Sequence, residues 1–409
     1  MKLLSKSGTP NVPAKKGKKR IRRKTPVYHA TSSADIVLSL KPVLPLYMIW
    51  PEKLAKKAQD FIRQFPGDVM YAVKCNPSAD VIRTLYKNGI HAFDVASIDE
   101  IKIARKAAPR AKLYFMHPVK SPEAIRMAYH KYGVRAFVLD TLEELYKIVR
   151  ETDLGADLEL FVRMALPKNN SAQIDFAAKF GASQEDTISL LKESRSVSSK
   201  LGLCFHVGTQ TLDPDAYAQG IRIAAETIRK SGVSVDVLDI GGGFPVAYPG
   251  QTPPEFSEYV DAITQALSFN ELQHMPLLCE PGRALVAEAG TLVVRVEQRR
   301  GNILYLNDGT YGGLFDAGQQ LQTRFPVQKI CEDNIKSAAP DQPYQFAGPT
   351  CDSLDMMPGP FMLPADIKTG DWIQIDNMGA YSQVMRSNFN GFGTCNALHI
   401  IEEDLFALK

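Results

Sequence analysis

The sequence is poor in the residues that hold small secreted or metal-stabilised proteins together. It has six cysteines among 409 residues, and no two of them lie closer than twenty residues. There is no Cys-x-x-Cys pair, and the seven histidines do not cluster. This spacing excludes a disulfide framework and argues against a metal site, and it indicates free thiols in a reducing compartment, which we expect to be the cytoplasm.

Long apolar segments are absent as well. The apolar residues of Met1–Leu4 are too few for a signal-peptide core, and no later stretch reaches 18 uninterrupted apolar residues. We therefore expect a soluble protein without a membrane span. Hydrophobic residues make up 45% and charged residues 23% of the chain, which excludes a disordered or collagen-like protein. At roughly 100–200 residues per domain, the length predicts two or three domains.

Acidic residues are missing from the beginning of the chain. Residues 1–24 contain ten Lys and Arg and no Asp or Glu, which leaves 38 basic and 45 acidic residues in the remainder. This composition predicts a flexible basic tail over 1–25. Three interpretations stay open for the tail: no partner, contact with a polyanion or membrane surface, or a targeting or oligomer-contact role. The acidic remainder argues against nucleic-acid binding elsewhere.

Alternating short β-branched or aromatic runs and amphipathic stretches begin near residue 69. Eight such units predict a parallel (β/α)8 barrel over residues 49–288, with an open doubly wound sheet as the alternative. A mostly β domain is predicted for 289–409, and the segment 26–48 is predicted to pair with it. The eight candidate strands close near Lys74, Asp94, His117, Asp140, Arg163, His206, Gly241 and Glu280.

Several of these strand ends carry residues suited to chemistry, because barrel enzymes place their sites at the carboxyl ends of the strands. Lys74 follows an apolar run, where burial is expected to lower the pKa of its amine and favour the nucleophilic form. The glycines at 241–243 let the backbone approach an anion closely. Each feature has a structural alternative: a lysine whose stem packs, and a tight turn without ligand.

Three further segments carry polar groups at such positions. Glu280 and Arg283 bring a carboxylate and a guanidinium to one rim, where an ion pair is the structural alternative. His206 closes a strand and is equally compatible with a buried, hydrogen-bonded histidine. Cys351 and Asp352 lie in a Gly- and Pro-marked loop, which favours a working thiol.

Taken together, these segments resemble the fold-type III pyridoxal-phosphate decarboxylases, and within them the ornithine decarboxylases. The resemblance spans roughly residues 28–395 and rests on eight motifs in family order: YAVKCNP, FDVAS, HVGTQ, DIGGGFP, EPGR, NDGTYG, GPTCDSLD and GAYS. It implies the alanine racemase-like architecture, a barrel plus a β domain, and pyridoxal 5'-phosphate as cofactor.

The resemblance implies a role for each matching residue. Lys74 would hold the cofactor covalently, His206 would stack on its ring and Glu280 would keep its ring nitrogen protonated, supported by the charges of Asp94 and Arg163. The phosphate would be bound by a set of backbone and side-chain donors: Thr209, Gly241, Gly242, Gly243, Gly282, Arg283 and Tyr381. Thr209 stands where the family usually has serine, and keeps the hydroxyl donor.

Substrate recognition is implied to involve two subunits. Cys351 resembles the residue that reprotonates the α-carbon, and Asp352 the one that meets the distal ammonium; both would come from the partner subunit of a head-to-tail homodimer. The family's Tyr-Asp pair after Asn307–Gly312 is replaced by Leu-Phe-Asp, so that Asp316 is either a shifted substrate residue or a surface aspartate. Phe389 resembles a family aromatic beside the substrate.

Three activities therefore stay open at this point. Decarboxylation of L-ornithine to putrescine, a step of polyamine biosynthesis, is favoured, and a dual lysine/ornithine enzyme is the first alternative. A catalytically silent regulatory homologue is the alternative from another class, but such homologues lose cofactor residues that this chain keeps. The Cys-Asp loop disfavours a racemase and a diaminopimelate decarboxylase.

Overall fold

The computed structural model describes residues 26–30, 32–174, 179–331 and 337–402. The basic tail predicted over 1–25, together with its contacts, lies outside the described residues. The first described elements are a strand, a short helix and a second strand: β1 (Val27–Ala30), α1 (Ser33–Leu40) and β2 (Leu46–Ile49).

Eight short parallel strands then form a closed barrel, because β10 pairs with both β9 and β3. Apolar side chains of alternate strand positions, Met70, Tyr114 and Phe161 among them, form a buried cluster of their own inside the barrel. The predicted barrel is confirmed, and the open sheet is wrong. The strands are β3 (Asp68–Ala72), β4 (Ala92–Val95), β5 (Lys112–Phe115), β6 (Ala136–Leu139), β7 (Glu159–Arg163), β8 (Lys200–Cys204), β9 (Val237–Asp239) and β10 (Leu277–Cys279).

The helices pack an apolar face against the outside of the barrel. In α6, for example, Leu145 and Ile148 lie one turn apart and are buried, and Thr141 caps the helix by accepting the Glu144 N–H at 3.2 Å. The helices of this part of the chain are α2 (Pro51–Gln64), α3 (Ala79–Lys87), α4 (Ile98–Ala107), α5 (Pro122–Arg126), α6 (Leu142–Glu151), α7 (Gln184–Val197), α8 (Asp215–Ser231), α9 (Phe256–Phe269) and α10 (Arg283–Val286).

A mixed sheet follows the barrel. Its order is β1-β17-β2-β11-β12-β14-β15, and β16 pairs with β11 and β13 beside this path. The early strands of the chain belong to it, since β1 runs parallel to β17 and β2 lies between β17 and β11. Its later strands are β11 (Gly290–Arg300), β12 (Ile303–Leu306), β13 (Val327–Ile330), β14 (Asp341–Ala347), β15 (Met356–Pro364), β16 (Trp372–Ile375) and β17 (Asn396–Glu402).

Hydrogen bonds hold the second domain over the carboxyl ends of the barrel strands. The Asn76 side chain donates to the Gly379 carbonyl at 2.9 Å, and the Tyr381 N–H donates to the Cys75 carbonyl at 2.9 Å. The segment after β16 is thereby held against the turn that follows β3. This contact places Tyr381 and Lys74 on the same side of the barrel.

Candidate active site

A cavity of about 360 Å³ lies at the carboxyl ends of the barrel strands, where the second domain covers them. Two of the three glycines in the predicted run, Gly241 and Gly242, do not line it, and neither do Cys351, Asp352 and Phe389. The other predicted site residues share its wall: Lys74, Asp94, Arg163, His206, Thr209, Gly243, Glu280, Gly282, Arg283, Asp316 and Tyr381.

Lys74 reaches the cavity from a single 3-10 turn, Val73–Cys75, that follows β3. Its Nζ donates to the Asp94 Oδ2 at 3.1 Å, and its side chain is 45% exposed. Although burial lowers the pKa of Lys74, the carboxylates of Asp94 and Glu280 raise it above its ordinary value. The expected lowering of the Lys74 pKa is therefore wrong. Carboxylates on neighbouring strands supply negative charge, and the local sequence around Lys74 does not reveal them.

His206 lies half-buried beside these charges. Its Nδ1 accepts the Gly208 N–H at 3.0 Å. Burial, together with the positive charges of Arg163 and Lys74, lowers the pKa of His206 well below its usual range. The imidazole is therefore neutral at physiological pH.

Glu280 presents a buried carboxyl group to the same cavity. Its backbone N–H donates to the Gly241 carbonyl at 2.8 Å. Burial and the nearby carboxylates of Asp239 and Asp94 raise the pKa of Glu280 well above its usual range, in spite of Lys74 and Arg163. A cation placed against Glu280 would stabilise its charged form.

The glycine run makes a turn that no side chain would allow. Gly241 and Gly243 have φ of 71° and 103°. A Cβ at Gly243 would lie 2.3 Å from the Gly208 carbonyl oxygen, and one at Gly242 would lie 2.5 Å from that of Glu280. Gly241 and Gly242 thus pack under the cavity, whereas Gly243 brings backbone to its wall.

Arg283 and Asp316 form a buried ion pair at the cavity wall. Arg283 Nη2 donates to Asp316 Oδ2 at 2.8 Å, and Nη1 donates to the Tyr248 hydroxyl at 3.0 Å. Within the described ranges, the buried Arg283 Nε has no hydrogen-bond partner. The guanidinium also lies 5.0 Å from the centre of the Tyr381 ring. An unpaired donor here suits an anion, and Asp316 is not a surface residue.

We expect Asp316→Asn to destabilise the protein, because it leaves a guanidinium that is only 6% exposed without its counter-charge. The expected loss in free energy of unfolding is about 3 kcal/mol, measured by urea denaturation. Asp99→Asn is the matched control, since Asp99 is 84% exposed in its pair with Lys102 and should cost well under about 1 kcal/mol. Equal losses in the two variants would contradict this account.

Cys351, Asp352 and Phe389 lie together on the surface, away from the cavity. The Tyr311 hydroxyl donates to Asp352, and the Tyr311 and Phe389 rings are 4.9 Å apart. The Cys351 N–H donates to Asn390 Oδ1 at 3.0 Å. Hydrogen bonds from the Leu354 N–H and from Tyr311 lower the pKa of Asp352. One chain therefore brings these residues to one another but not to Lys74.

Sequence reasoning missed several residues of the site. The Tyr248 hydroxyl accepts a hydrogen bond from Arg283, and the Tyr311 hydroxyl donates one to Asp352. Asp239 lies behind Glu280. His117 and Cys75 line the cavity. Two of them carried a signal, since His117 closes the third candidate strand and Asp239 lies two residues before Gly241, where the glycine run begins. Tyr248 and Tyr311 lie in loops, and only the fold reveals their partners.

The protein groups present fit pyridoxal phosphate. Lys74 supplies an amine, and Glu280 supplies an acid that would be ionised beside a protonated ring nitrogen. Arg283, with its unpaired Nε, lines the same wall as the Gly243 backbone. An amine, an acid and an anion cradle at the mouth of a parallel barrel define the class of pyridoxal-phosphate enzymes with this fold. In the described part of the chain, no group of three His, Cys, Asp or Glu side chains could hold a metal.

The comparisons with known proteins agree with this class. Residues 52–287 match the family described as pyridoxal-dependent decarboxylase, pyridoxal binding domain. The lysine/ornithine decarboxylase of Selenomonas ruminantium is 32% identical over 351 residues, which cover 83% of this chain and 86% of that protein. The chain belongs to the pyridoxal-dependent decarboxylases, and its cofactor is pyridoxal 5'-phosphate.

Other relatives differ in their names. The ornithine decarboxylase of Schizosaccharomyces pombe is 31% identical, with 91% of this chain and 84% of that protein covered. Antizyme inhibitor 2 of Xenopus laevis is 32% identical, with 83% and 77% covered. The crystal structure of the Vibrio vulnificus lysine/ornithine decarboxylase complexed with putrescine superposes with a TM-score of 0.77 at 29% identity, over 92% of this chain and all of that one. None of the helices in the described ranges is both long and apolar enough to cross a membrane.

Proposed function

We propose that this decarboxylase of basic amino acids converts L-ornithine to putrescine, as a step of polyamine biosynthesis. The observation that carries the proposal is that Lys74, Glu280 and the Arg283 region share one cavity while Asp352 lies outside it. The six cysteines are all unpaired, which supports a reducing compartment, the cytoplasm, as the place of action.

Each residue of the cavity would have its own role in holding the cofactor. Lys74 would hold the cofactor, and Asp94 would hold the lysine in place through their 3.1 Å contact. The neutral His206 would lie flat on the cofactor ring, and Glu280 would hold a proton at its nitrogen. Gly243, with Thr209, Gly282, Arg283 and Tyr381, would bind the phosphate. When bound, pyridoxal phosphate supplies an electron sink for the pair left by departing carbon dioxide.

The distal ammonium of the substrate needs a carboxylate, and those of the cavity wall are committed. Asp94 pairs with Lys74, Asp316 pairs with Arg283, and Glu280 lies among acids. Asp352 is ionised, since its pKa is lowered, and it lies partly exposed on the surface. We therefore assign the distal ammonium to Asp352 of a second copy of the chain.

A head-to-tail homodimer would bring the two halves of the site together. The loop that carries Cys351 and Asp352 is flanked by exposed apolar side chains, with Leu354 60%, Phe389 44% and Phe392 46% exposed. Such a patch supports burial against another subunit. Across this interface Asp352 would reach the substrate ammonium, Cys351 would deliver a proton to the α-carbon, and Phe389 would pack beside the substrate.

A dual lysine/ornithine activity is the second candidate. It is favoured by the likeness to the Selenomonas and Vibrio proteins, whose names include both substrates. A catalytically silent homologue is the third, because antizyme inhibitor 2 is as similar as the enzymes. The retained Lys74 and Glu280 argue against it.

A substrate panel tests the proposal. Carbon dioxide release from L-ornithine, L-lysine and L-arginine is measured with the purified holoenzyme. We expect kcat/KM for ornithine to exceed that for lysine by about 10-fold or more, since one methylene in a fitted pocket is worth that much. Comparable values would establish the dual enzyme instead. No release from any substrate, with the cofactor bound, would favour the silent homologue.

A further inference from the structure

A second buried acid lies directly behind Glu280. Asp239 closes β9 and is fully buried, and its Oδ1 accepts the Gly241 N–H at 2.9 Å. Its Oδ2 is also buried, and no N–H or hydroxyl group of the described residues donates to it. The neighbouring strand β10 pairs Leu278 with Asp239 and is followed by Glu280, whose carboxyl group interacts with that of Asp239. Two carboxyl groups that meet with no donor between them repel each other unless one carries a proton.

Charges from several strands surround this pair. Asp94 adds a third carboxylate from β4, against the two cations Lys74 and Arg163. With every group ionised, the cluster would carry one excess negative charge, and one proton on the acid pair removes it. Other titratable groups also act on this region. They are Asp68 of β3, Tyr114 of β5, Asp140 after β6, Cys204 of β8, His206 after β8, and Cys279 of β10.

The titration of the two acids agrees with this charge balance. Burial raises the pKa of Asp239 to about 6, although the hydrogen bonds from Gly241 and Glu280 lower it. The pKa of Glu280 is raised further, by burial and by Asp239 and Asp94. The thiols of Cys204 and Cys279 and the phenol of Tyr114 also have raised pKa values, so they are neutral and supply no compensating charge.

We propose that Asp239 is a positioning residue that shares a single proton with Glu280, so that the two acids together carry one negative charge. The inference rests on the proposed function in one respect, the assignment of Glu280 to the cofactor's ring nitrogen. A cation facing Glu280 would draw the proton of the pair onto Asp239, whose Oδ1 the Gly241 N–H fixes in place. Glu280 can then be charged toward the cavity without a second buried charge behind it.

Amide substitutions separate a shared proton from simple packing. In Asp239→Asn, the Oδ1 still accepts the Gly241 N–H, and the amide N–H replaces the shared proton as a donor to Glu280. Glu280→Gln does the same from the other side. Because the pKa values of both acids are raised in the folded state, their stabilisation is present in acid. It begins to be lost as Asp239 ionises near pH 6, and the proton that the pair retains is lost above that pH. The variants have no such proton to lose.

The thermal midpoint of the holoenzyme is therefore measured from about pH 5 to pH 8. Relative to wild type, we expect the midpoint of Asp239→Asn to rise by about 3 °C over this range. Glu280→Gln is expected to show the same relative rise, and the double variant no more than either single one, because both remove the same proton. The pyridoxal phosphate affinity of each variant is measured alongside.

The outcomes are distinct. Asp239→Asn with the pH dependence of the wild type, or singles whose effects add in the double variant, would overturn the shared proton. If Asp239→Asn does not fold, Glu280→Gln carries the same test. Glu280→Gln could keep the wild-type cofactor affinity and kcat/KM while its thermal midpoint shows the expected relative rise with pH. That result would refute the proposed role of Glu280 at the ring nitrogen but would support the shared proton.

Discussion

Replacing Lys74 with alanine is expected to lower kcat/KM by on the order of 10⁴-fold or more, which is the scale of losing a covalent catalytic group. Lys74 supplies the cavity's amine, it is 45% exposed toward it, and it is held by Asp94 at 3.1 Å. The variant should also lose the visible absorbance of covalently held cofactor. Carbon dioxide release and the absorbance spectrum measure the two effects.

Lys74→Arg is the matched control. Arginine keeps a positive charge beside Asp94, but its guanidinium is not a nucleophile at any physiological pH. We expect it to preserve the fold and the ion pair and to be as inactive as the alanine variant. Substantial turnover by Lys74→Arg would show that charge, and not covalent attachment, is what the position contributes.

Mixing two inactive variants is expected to restore activity if the site is shared between subunits. Lys74→Ala disables the cavity, and Asp352→Ala disables the surface loop, so each homodimer has two defective sites. Random exchange makes half of the dimers mixed, and each mixed dimer has one intact site. The mixture should therefore reach about a quarter of the wild-type rate, measured after the subunits are allowed to exchange.

A second mixture controls for non-specific rescue. A mixture of Lys74→Ala and Glu280→Ala should stay inactive. Both residues line the same cavity, so each of the two sites in a mixed dimer contains one of the two substitutions. Recovery in this mixture would contradict the division of the site. No recovery with Asp352→Ala, in dimers shown to be mixed, would place all substrate contacts within one chain.

The barrel could be predicted from the sequence because its strands and helices repeat with strong periodicity. The β domain could be predicted less well. β15 contains Pro358, Gly359 and Pro360, which read as a loop, yet it pairs with β14 over most of its length. Whether such a segment forms a strand depends on its pairing with a neighbouring strand, and the local sequence pattern does not show that neighbour.

The site shows the same division. Lys74, His206 and Glu280 could be found because each follows a candidate strand. Cys351 and Asp352 were marked by their loop alone, and their roles are implied only by the resemblance. The pKa of Lys74 was misjudged, because Asp94 and Glu280 come from other strands. Asp239 was overlooked because a single acid before a glycine run acquires meaning only when the acid facing it is known.

The pairing of the first and last described strands bears on how the chain folds as it is synthesised. β1 and β2 leave the ribosome before the barrel is made. Both pair with β17, 372 residues later for β1 (Val27 to His399) and 350 residues later for β2 (Leu46 to Asn396). Contacts of such long sequence separation form slowly. The barrel can close while these two strands still lack β17 as a neighbour. The nascent chain therefore carries unpaired strand edges until β17 is made, and we expect chaperones to act on these edges.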